Sequence, residues 1–295
     1  MSHSDSLKSR APTWTSWSPW RAIVVLGVLL SQLHCTAGPP KFSQKATGGT
    51  LDLSTWSPER DGVVTIEGEW RFAWNRELVP QAIDAIWDQS LGHIKIPQAW
   101  NDQYLTNDST APIPSKGFGT YLLRIKLPDT DSSALSIDIP PAANAASYFV
   151  TDTQGNLLTS VAQQGQTGQK ASDVLPARTF SELTFTSPNT DSEIIMWAQV
   201  SNFHQEDGGM FYPLTIGSPE DIARANLREQ WLAAFLFGVL AIIALYHIAI
   251  FLQRPADRAA LLFAGFCGSV AMRQAVMMRL PDHITPDWTF TSWIW

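Results

Sequence analysis

Residues Ile66-Glu67-Gly68-Glu69-Trp70-Arg71-Phe72-Ala73-Trp74 decide the class of fold. Trp70, Phe72 and Trp74 alternate along the run, the period of a strand with one face turned to a core. Working outward, the same short pattern recurs at Val63 to Ile66, Ile94 to Ile96, Thr120 to Leu127, Leu135 to Ile139 and Ser147 to Thr151. It returns at Leu157 to Val161, Leu183 to Thr186, Glu193 to Val200 and Leu214 to Ile216. Pro, Gly, Asn and Asp separate these segments, and Gln154-Gly155-Asn156 marks a hairpin turn. Only Gln81 to Gln89 reads as helical. The expected fold over residues 48–217 is mainly β, an antiparallel β-sandwich or jelly roll.

The pattern changes at Ser218-Pro219-Glu220-Asp221, which supplies an N-cap, a proline in the first turn and two acids beside the helix dipole. Residues 218–230 read as a helical connector. Residues 231–252 then contain no Asp, Glu, Lys or Arg over 22 positions, about 33 Å of helix, which matches a bilayer core. They are expected to form a transmembrane helix, with no breaker between Pro219 and Leu252. A polar turn with Arg254 and Arg258 precedes a second apolar stretch, 259–278, expected to be a second transmembrane helix. Arg273 inside it leaves two readings open: an interfacial helix, or a span whose arginine faces protein. Residues 281–295, with Trp288, Trp293 and Trp295, read as the start of a further membrane segment in an amino-terminal fragment.

At the other end, Lys8, Arg10 and Arg21 precede the apolar run Ala22 to Leu30. Residues 1–37 thus read as a signal peptide or an N-terminal anchor, with small residues placing cleavage after Ala37. Cys35 sits in a poor lipobox. The positive-inside rule puts Arg254 and Arg258 in the cytoplasm, which agrees with export of everything before Trp231. The expected location is the bacterial inner membrane, with the β region on the periplasmic or extracellular side and the lipid bilayer as a partner.

Composition narrows the function. The chain has 295 residues, 45% hydrophobic, with 13 Trp, too apolar for a disordered protein. Its mean hydropathy of −0.05 averages two unlike regions. The formal charge is −7, and residues 38–230 hold 13 basic against 23 acidic side chains, which argues against nucleic acid as a partner. No GxSxG, P-loop, HExxH or CxxC pattern occurs, and the six histidines lack metal-ligand spacing. No catalytic residue, metal or cofactor is expected. Glu67 and Glu69 sit two apart on a strand, as solvated edge pairs often do. Trp100, Asn101 and His204 are the candidate ligand contacts, because flat rings beside amide and imidazole groups suit a sugar's C–H faces and hydroxyls.

The order of motifs resembles a known family. Leu51-Asp52-Leu53-Ser54-Thr55-Trp56, the Ile66–Trp74 run, Ile96-Pro97-Gln98-Ala99-Trp100-Asn101 and Gly117-Phe118-Gly119-Thr120-Tyr121-Leu122-Leu123-Arg124 follow one another collinearly. Val200-Ser201-Asn202-Phe203-His204 with Gly208-Gly209, Phe237-Gly238, Leu245-Tyr246-His247 and Arg273 continue the series. Over residues 48–278 this is similar to bacterial seven-transmembrane receptors with diverse intracellular signalling modules. The strand motifs also look like the jelly-roll sugar-binding domain of family 2 glycoside hydrolases. The resemblance implies a galactose-binding-like fold and a carbohydrate ligand. It does not imply hydrolysis, since the catalytic carboxylates of those enzymes belong to a separate barrel.

Two functions follow as expectations. The first is the sensory amino-terminal part of a membrane receptor, whose exported sandwich binds a small ligand and biases the membrane helices. The alternative is a membrane-tethered carbohydrate-binding module that does not signal.

Overall fold

Strands Val64–Ile66 and Gly68–Trp74, only one residue apart, belong to different sheets. The computed structural model describes residues 42–277 apart from 81–85, 88–90, 108–109, 130–132, 143, 178 and 188–191. The expected leader (1–37) and last membrane segment (281–295) lie outside the described residues. Of the expected helix 81–89 only Ile86 and Trp87 are described, both helical.

The larger sheet contains β1 (Thr50–Asp52), β3 (Gly68–Trp74), β4 (Gly92–Ile96), β6 (Gly117–Lys126), β8 (Ala145–Thr151), β9 (Ala162–Gln166), β10 (Leu175–Pro176) and β12 (Glu193–Asn202). Its order is β10-β9-β8-β12-β6-β3-β4, antiparallel throughout, with β1 added parallel to the end of β6. The smaller sheet contains β2 (Val64–Ile66), β7 (Ala134–Ile139), β11 (Ser181–Thr186) and β14 (Leu214–Gly217), in the order β11-β7-β14-β2. A ribbon joins β5 (Gln98–Ala99) to β13 (Gly209–Met210).

The two sheets face each other across one core. Trp70, Phe72, Tyr121, Leu123, Ile125, Ile194 and Met196 from the larger sheet meet Val64, Ile66, Ile137, Ile139, Leu183, Phe185, Leu214 and Ile216 from the smaller. This is a β-sandwich. The expected alternation holds, with Trp70 and Phe72 wholly buried. At roughly 1.5–3 kcal/mol per large apolar side chain, such burial is the main force joining the sheets. The outer face of the larger sheet is covered as well. There Ala73, Leu122, Phe149, Ile195 and Trp197 meet Leu78, Ile86 and Leu91, and Phe149 stacks on Trp197 at 5.6 Å. The guanidinium groups of Arg71 and Arg124 both lie over the Trp87 ring, at 4.5 and 4.4 Å. Strands β6 and β12 are therefore apolar on both faces along much of their length.

Two local readings are corrected. Glu67 and Glu69 do not share a strand, because the chain leaves one sheet for the other at Glu67-Gly68. Gly68 has φ 118°, and a Cβ there would lie 2.4 Å from Ala46 O, so glycine is required. Glu67 pairs with Lys45 at 3.0 Å, while Glu69 accepts from Gly48 N at 3.2 Å. The second correction concerns Leu157 to Val161. The turn at Gln154-Gly155-Asn156 forms, with Asp152 N bonded to Asn156 O at 3.0 Å, but the return is short: Leu157 bridges to Thr151 and Leu158 N bonds to Val150 O at 2.9 Å. Val150 N bonds to Thr159 Oγ1 instead of a backbone carbonyl, and the returning strand is delayed to β9.

The connector and first membrane stretch form one helix, α2 (Pro219–Gln253), preceded in the chain by the short α1 (Pro58–Asp61). Ser218 caps α2 as expected, its Oγ accepting from Asp221 N at 3.1 Å and donating to Asp221 Oδ2 at 2.8 Å. Among the described residues α2 is the one helix long and apolar enough to cross a membrane. After a turn, α3 (Arg258–Met277) packs against it. The buried positions of α3, Ala260, Ala264, Cys267, Ala271 and Ala275, recur at spacings of four, three, four and four, a seam of small side chains. His247 of α2 meets Phe263 of α3 edge-on at 4.7 Å.

Candidate functional site

Strand register gathers the functional loops at one end of the sandwich. Asn202, the last residue of β12, lies opposite Gly117, the first of β6, and Ser201 lies opposite Ala145, the first of β8. The loops 140–144, 100–116 and 202–213 therefore converge, and ribbon β5–β13 ties the second to the third.

The structure brings Trp100 and Asn101 onto the 202–209 loop, but in supporting roles. Trp100 is wholly buried. Its Nε1 donates to Ser115 O at 3.1 Å, its ring packs against Phe72 and Trp74, and the backbone of Gly208 lies on the indole. The indole thus has no face open to a ligand, which corrects its reading as a stacking platform. Asn101 Oδ1 accepts from Gly208 N at 3.0 Å and its Nδ2 donates to Asp207 Oδ1 at 3.1 Å. Asn202 likewise uses its amide on Ser115 O and on Gln205. His204 is exposed, and its Nε2 lies 3.2 Å from Val174 O, so it clasps a different loop and does not join Trp100 and Asn101.

Two grooves open at this end. One is lined by Glu77, Thr120, Thr167, Gln199 and Ser201 together with Phe118 and Val200. Most of its groups are engaged within the chain. Thr120 Oγ1 donates to Arg76 O and accepts from Leu78 N, Ser201 Oγ bonds both ways with the backbone of Gly168, and Gln199 Nε2 donates to Leu78 O. These bonds stitch segments together and leave little for a ligand.

The second groove is aromatic. Ile139, Pro140, Ala142, Tyr148, Met210, Phe211, Tyr212 and Leu214 line a shallow, open groove of about 10 Å³, roughly the room of one water molecule. A larger ligand would rest on its exposed aromatic rim and not inside it. Tyr212 is 51% exposed, whereas Tyr148 is buried and burial pushes its phenol well above the ordinary range, so the hydroxyl stays protonated. Two buried amides fix the walls. Gln164 Nε2 donates to Pro140 O at 3.1 Å and its Oε1 accepts from Ala142 N at 3.1 Å; Asn144 Nδ2 donates to Gly209 O at 2.8 Å. Such walls are set before a ligand arrives. Sequence reasoning passed over Tyr148, Phe211 and Tyr212, although Phe211-Tyr212-Pro213, one residue after Gly208-Gly209, was a visible signal. Among the described residues no group of three or more His, Cys, Asp or Glu is placed to hold a metal ion.

The strands that line this groove also carry α2. Ile139 follows Asp138 in β7, and Asp138 Oδ1 accepts from Asn226 Nδ2 of α2 at 3.0 Å. Leu214 opens β14, which leads into the Ser218 cap with no linker. Ile222 in the first turns of α2 is buried. Burial raises the Asp138 carboxyl above the ordinary range, its bond to Asn226 opposes this, and Glu182 and Glu229 add to it.

The fold and site define a mainly antiparallel β-sandwich joined to a helix long and apolar enough to cross a membrane. No protein-family model matches the chain, and no curated protein does. Among solved structures it is similar to Faecalibacterium prausnitzii beta-glucuronidase (13% identity, TM-score 0.37, 52% of this chain and 31% of that one). A glycosyl hydrolase family 2 member from Bacteroides cellulosilyticus is similar at 13% identity and TM-score 0.38, with 52% of this chain and 20% of that one covered. The beta-D-glucuronidase of Dictyoglomus thermophilum is similar at 14% identity and TM-score 0.34, with 52% and 27% covered. The aligned part spans less than a third of each of these proteins. Likeness at this level transfers neither fold nor activity to the chain.

Proposed function

We propose that this chain is the sensory part of a membrane receptor, whose sandwich has a galactose-binding-like, jelly-roll character and takes a small carbohydrate on the rim of the aromatic groove. The reading is carried by the sharing of β7 and β14 between that groove and the base of α2. A ligand seated on Phe211 and Tyr212 rests on the segment that runs directly into β14, the strand that ends at the cap of α2. It can bias the helix only by binding two arrangements with different affinity. The exposed ring of Tyr212 and the partly exposed ring of Phe211 favour a sugar, since such rings cover its C–H faces. The collinear motifs shared with seven-transmembrane receptors support the sensory role. Arg254 and Arg258 at the turn between α2 and α3 favour placing that turn in the cytoplasm and the sandwich outside the inner membrane. In this reading α3 is the second span.

The test uses the full chain in lipid nanodiscs, titrated with neutral, amino and uronic sugars by calorimetry. Binding of one class is expected, and Tyr212→Ala should weaken it about tenfold or more, the loss of about 1.4 kcal/mol of ring contact. No binding by any sugar, or binding that Tyr212→Ala leaves intact, would overturn the proposal.

A further inference from the structure

α2 is held to the sandwich by a carboxylate that forms no ion pair among the described residues. Asp138 projects from the outer face of β7, half-buried, and bonds to Asn226 of α2 at 3.0 Å. On one side the strand register sets Glu182 of β11 directly opposite Asp138, and on the other it sets Thr215 of β14. Directly opposed residues project from the same face of a sheet, so the Glu182 carboxylate lies beside that of Asp138. α2 contributes Glu229, three positions after Asn226 and hence one turn along the same side. The basic residues of this segment, Arg224 and Arg228, each stand two positions from Asn226 and so project from the opposite side of the helix; both are exposed. Arg224 is bonded to Asp221 at 2.8 Å. Three carboxylates thus meet at the join, with one neutral amide to bind them.

We infer that this join is a proton-gated dock, in which protonation of Asp138 seats the base of α2 on the smaller sheet and ionisation loosens it. Protonation removes one of three like charges and leaves Oδ1 able to accept from Asn226, although that bond is stronger to the carboxylate. Burial raises the Asp138 carboxyl above its free value of 3.8, the Asn226 bond opposes this, and Glu182 and Glu229 add to the rise. In the inferred dock the cover and the Glu229 charge that α2 brings outweigh its Asn226 bond, so the docked carboxyl binds its proton more tightly than the undocked one. Docking therefore strengthens as pH falls through the raised value, and gains nothing further below 3.8. The device does not depend on any ligand in the groove, so it stands or fails apart from the sugar proposal. It would let the same helix report acidification.

The test is amide hydrogen exchange over Ile222 to Glu229 in the full chain in phosphatidylcholine nanodiscs, corrected for the intrinsic pH dependence of exchange. Between about pH 7.5 and about pH 4 the wild-type protection should rise, by about twofold or more. Asp138→Asn keeps the shape and the acceptor without the charge, and should show high protection at both pH values. A second variant, Glu182→Gln with Glu229→Gln, removes the flanking charges and should flatten the response. Wild-type protection that ignores pH, or a response that persists in Asp138→Asn, would overturn the inference. If Asp138→Asn does not fold, the double variant decides, and a response equal to wild type overturns it.

Discussion

Gln164 holds Pro140 through an Nε2 to carbonyl bond of 3.1 Å, while the other end of the same amide accepts from Ala142 N at 3.1 Å. One wholly buried side chain from β9 thus fixes both edges of the loop that walls the aromatic groove. A glutamine in the core would be costly alone, since an unsatisfied buried amide loses its full solvation. Here both ends are bonded. Gln164→Leu leaves Ala142 N and Pro140 O unpaired and should destabilise the chain by about 2–4 kcal/mol. Equilibrium denaturation of the chain in detergent, with and without the substitution, measures this. A loss below about 0.5 kcal/mol would mean that the loop is held by something else.

Gly68 makes the passage between sheets. With φ 118° and Ala46 O where a Cβ would stand, Gly68→Ala forces either the backbone of Ala46 or the corner itself to move. The expected cost is about 2 kcal/mol or more, from backbone strain together with the clash. Gly62, also at positive φ but with open space around its missing Cβ, is the internal control. Gly62→Ala should cost less, about 1 kcal/mol, because only the conformational term remains. Equal midpoints for the two variants in thermal unfolding would contradict this account of the corner.

Trp100 and Asn101 adjoin in sequence but serve different purposes. Trp100→Ala removes a ring enclosed by Phe72, Trp74 and Gly208 and should cost about 3–5 kcal/mol. Asn101→Ala removes two bonds to the exposed side of the same loop and should cost about 1–2 kcal/mol. Denaturation midpoints separate the two. A Trp100→Ala chain as stable as wild type would return the indole to the surface and restore it as a ligand contact.

The sandwich and the long helix were legible because their signals are periodic. Alternation at Trp70 and Phe72 reports a strand with one buried face, and 22 positions without charge report a length matched to a bilayer. The Ser218 cap was legible because capping is local, made by residues three apart. The groove was not, because Ile139, Tyr148 and Tyr212 meet only through the pairing of strands far apart in the chain. Trp100 was misjudged because burial depends on what covers a ring, and its cover, Gly208, lies about a hundred positions away. The delayed return of β9 turned on one hydroxyl, Thr159 Oγ1, replacing a carbonyl, which no propensity foretells.

In the proposed receptor, the groove and the base of α2 communicate through the strands they share. The most direct measurement is hydrogen exchange over Pro219 to Glu229 in the nanodisc-embedded chain at fixed pH, with and without the sugar that binds most tightly. Protection of this segment should change on binding in wild type and stay constant in Tyr212→Ala at the same sugar concentration. Saturating sugar that protects the groove around Pro140 and Tyr212 while leaving the exchange of α2 unchanged would contradict the claim.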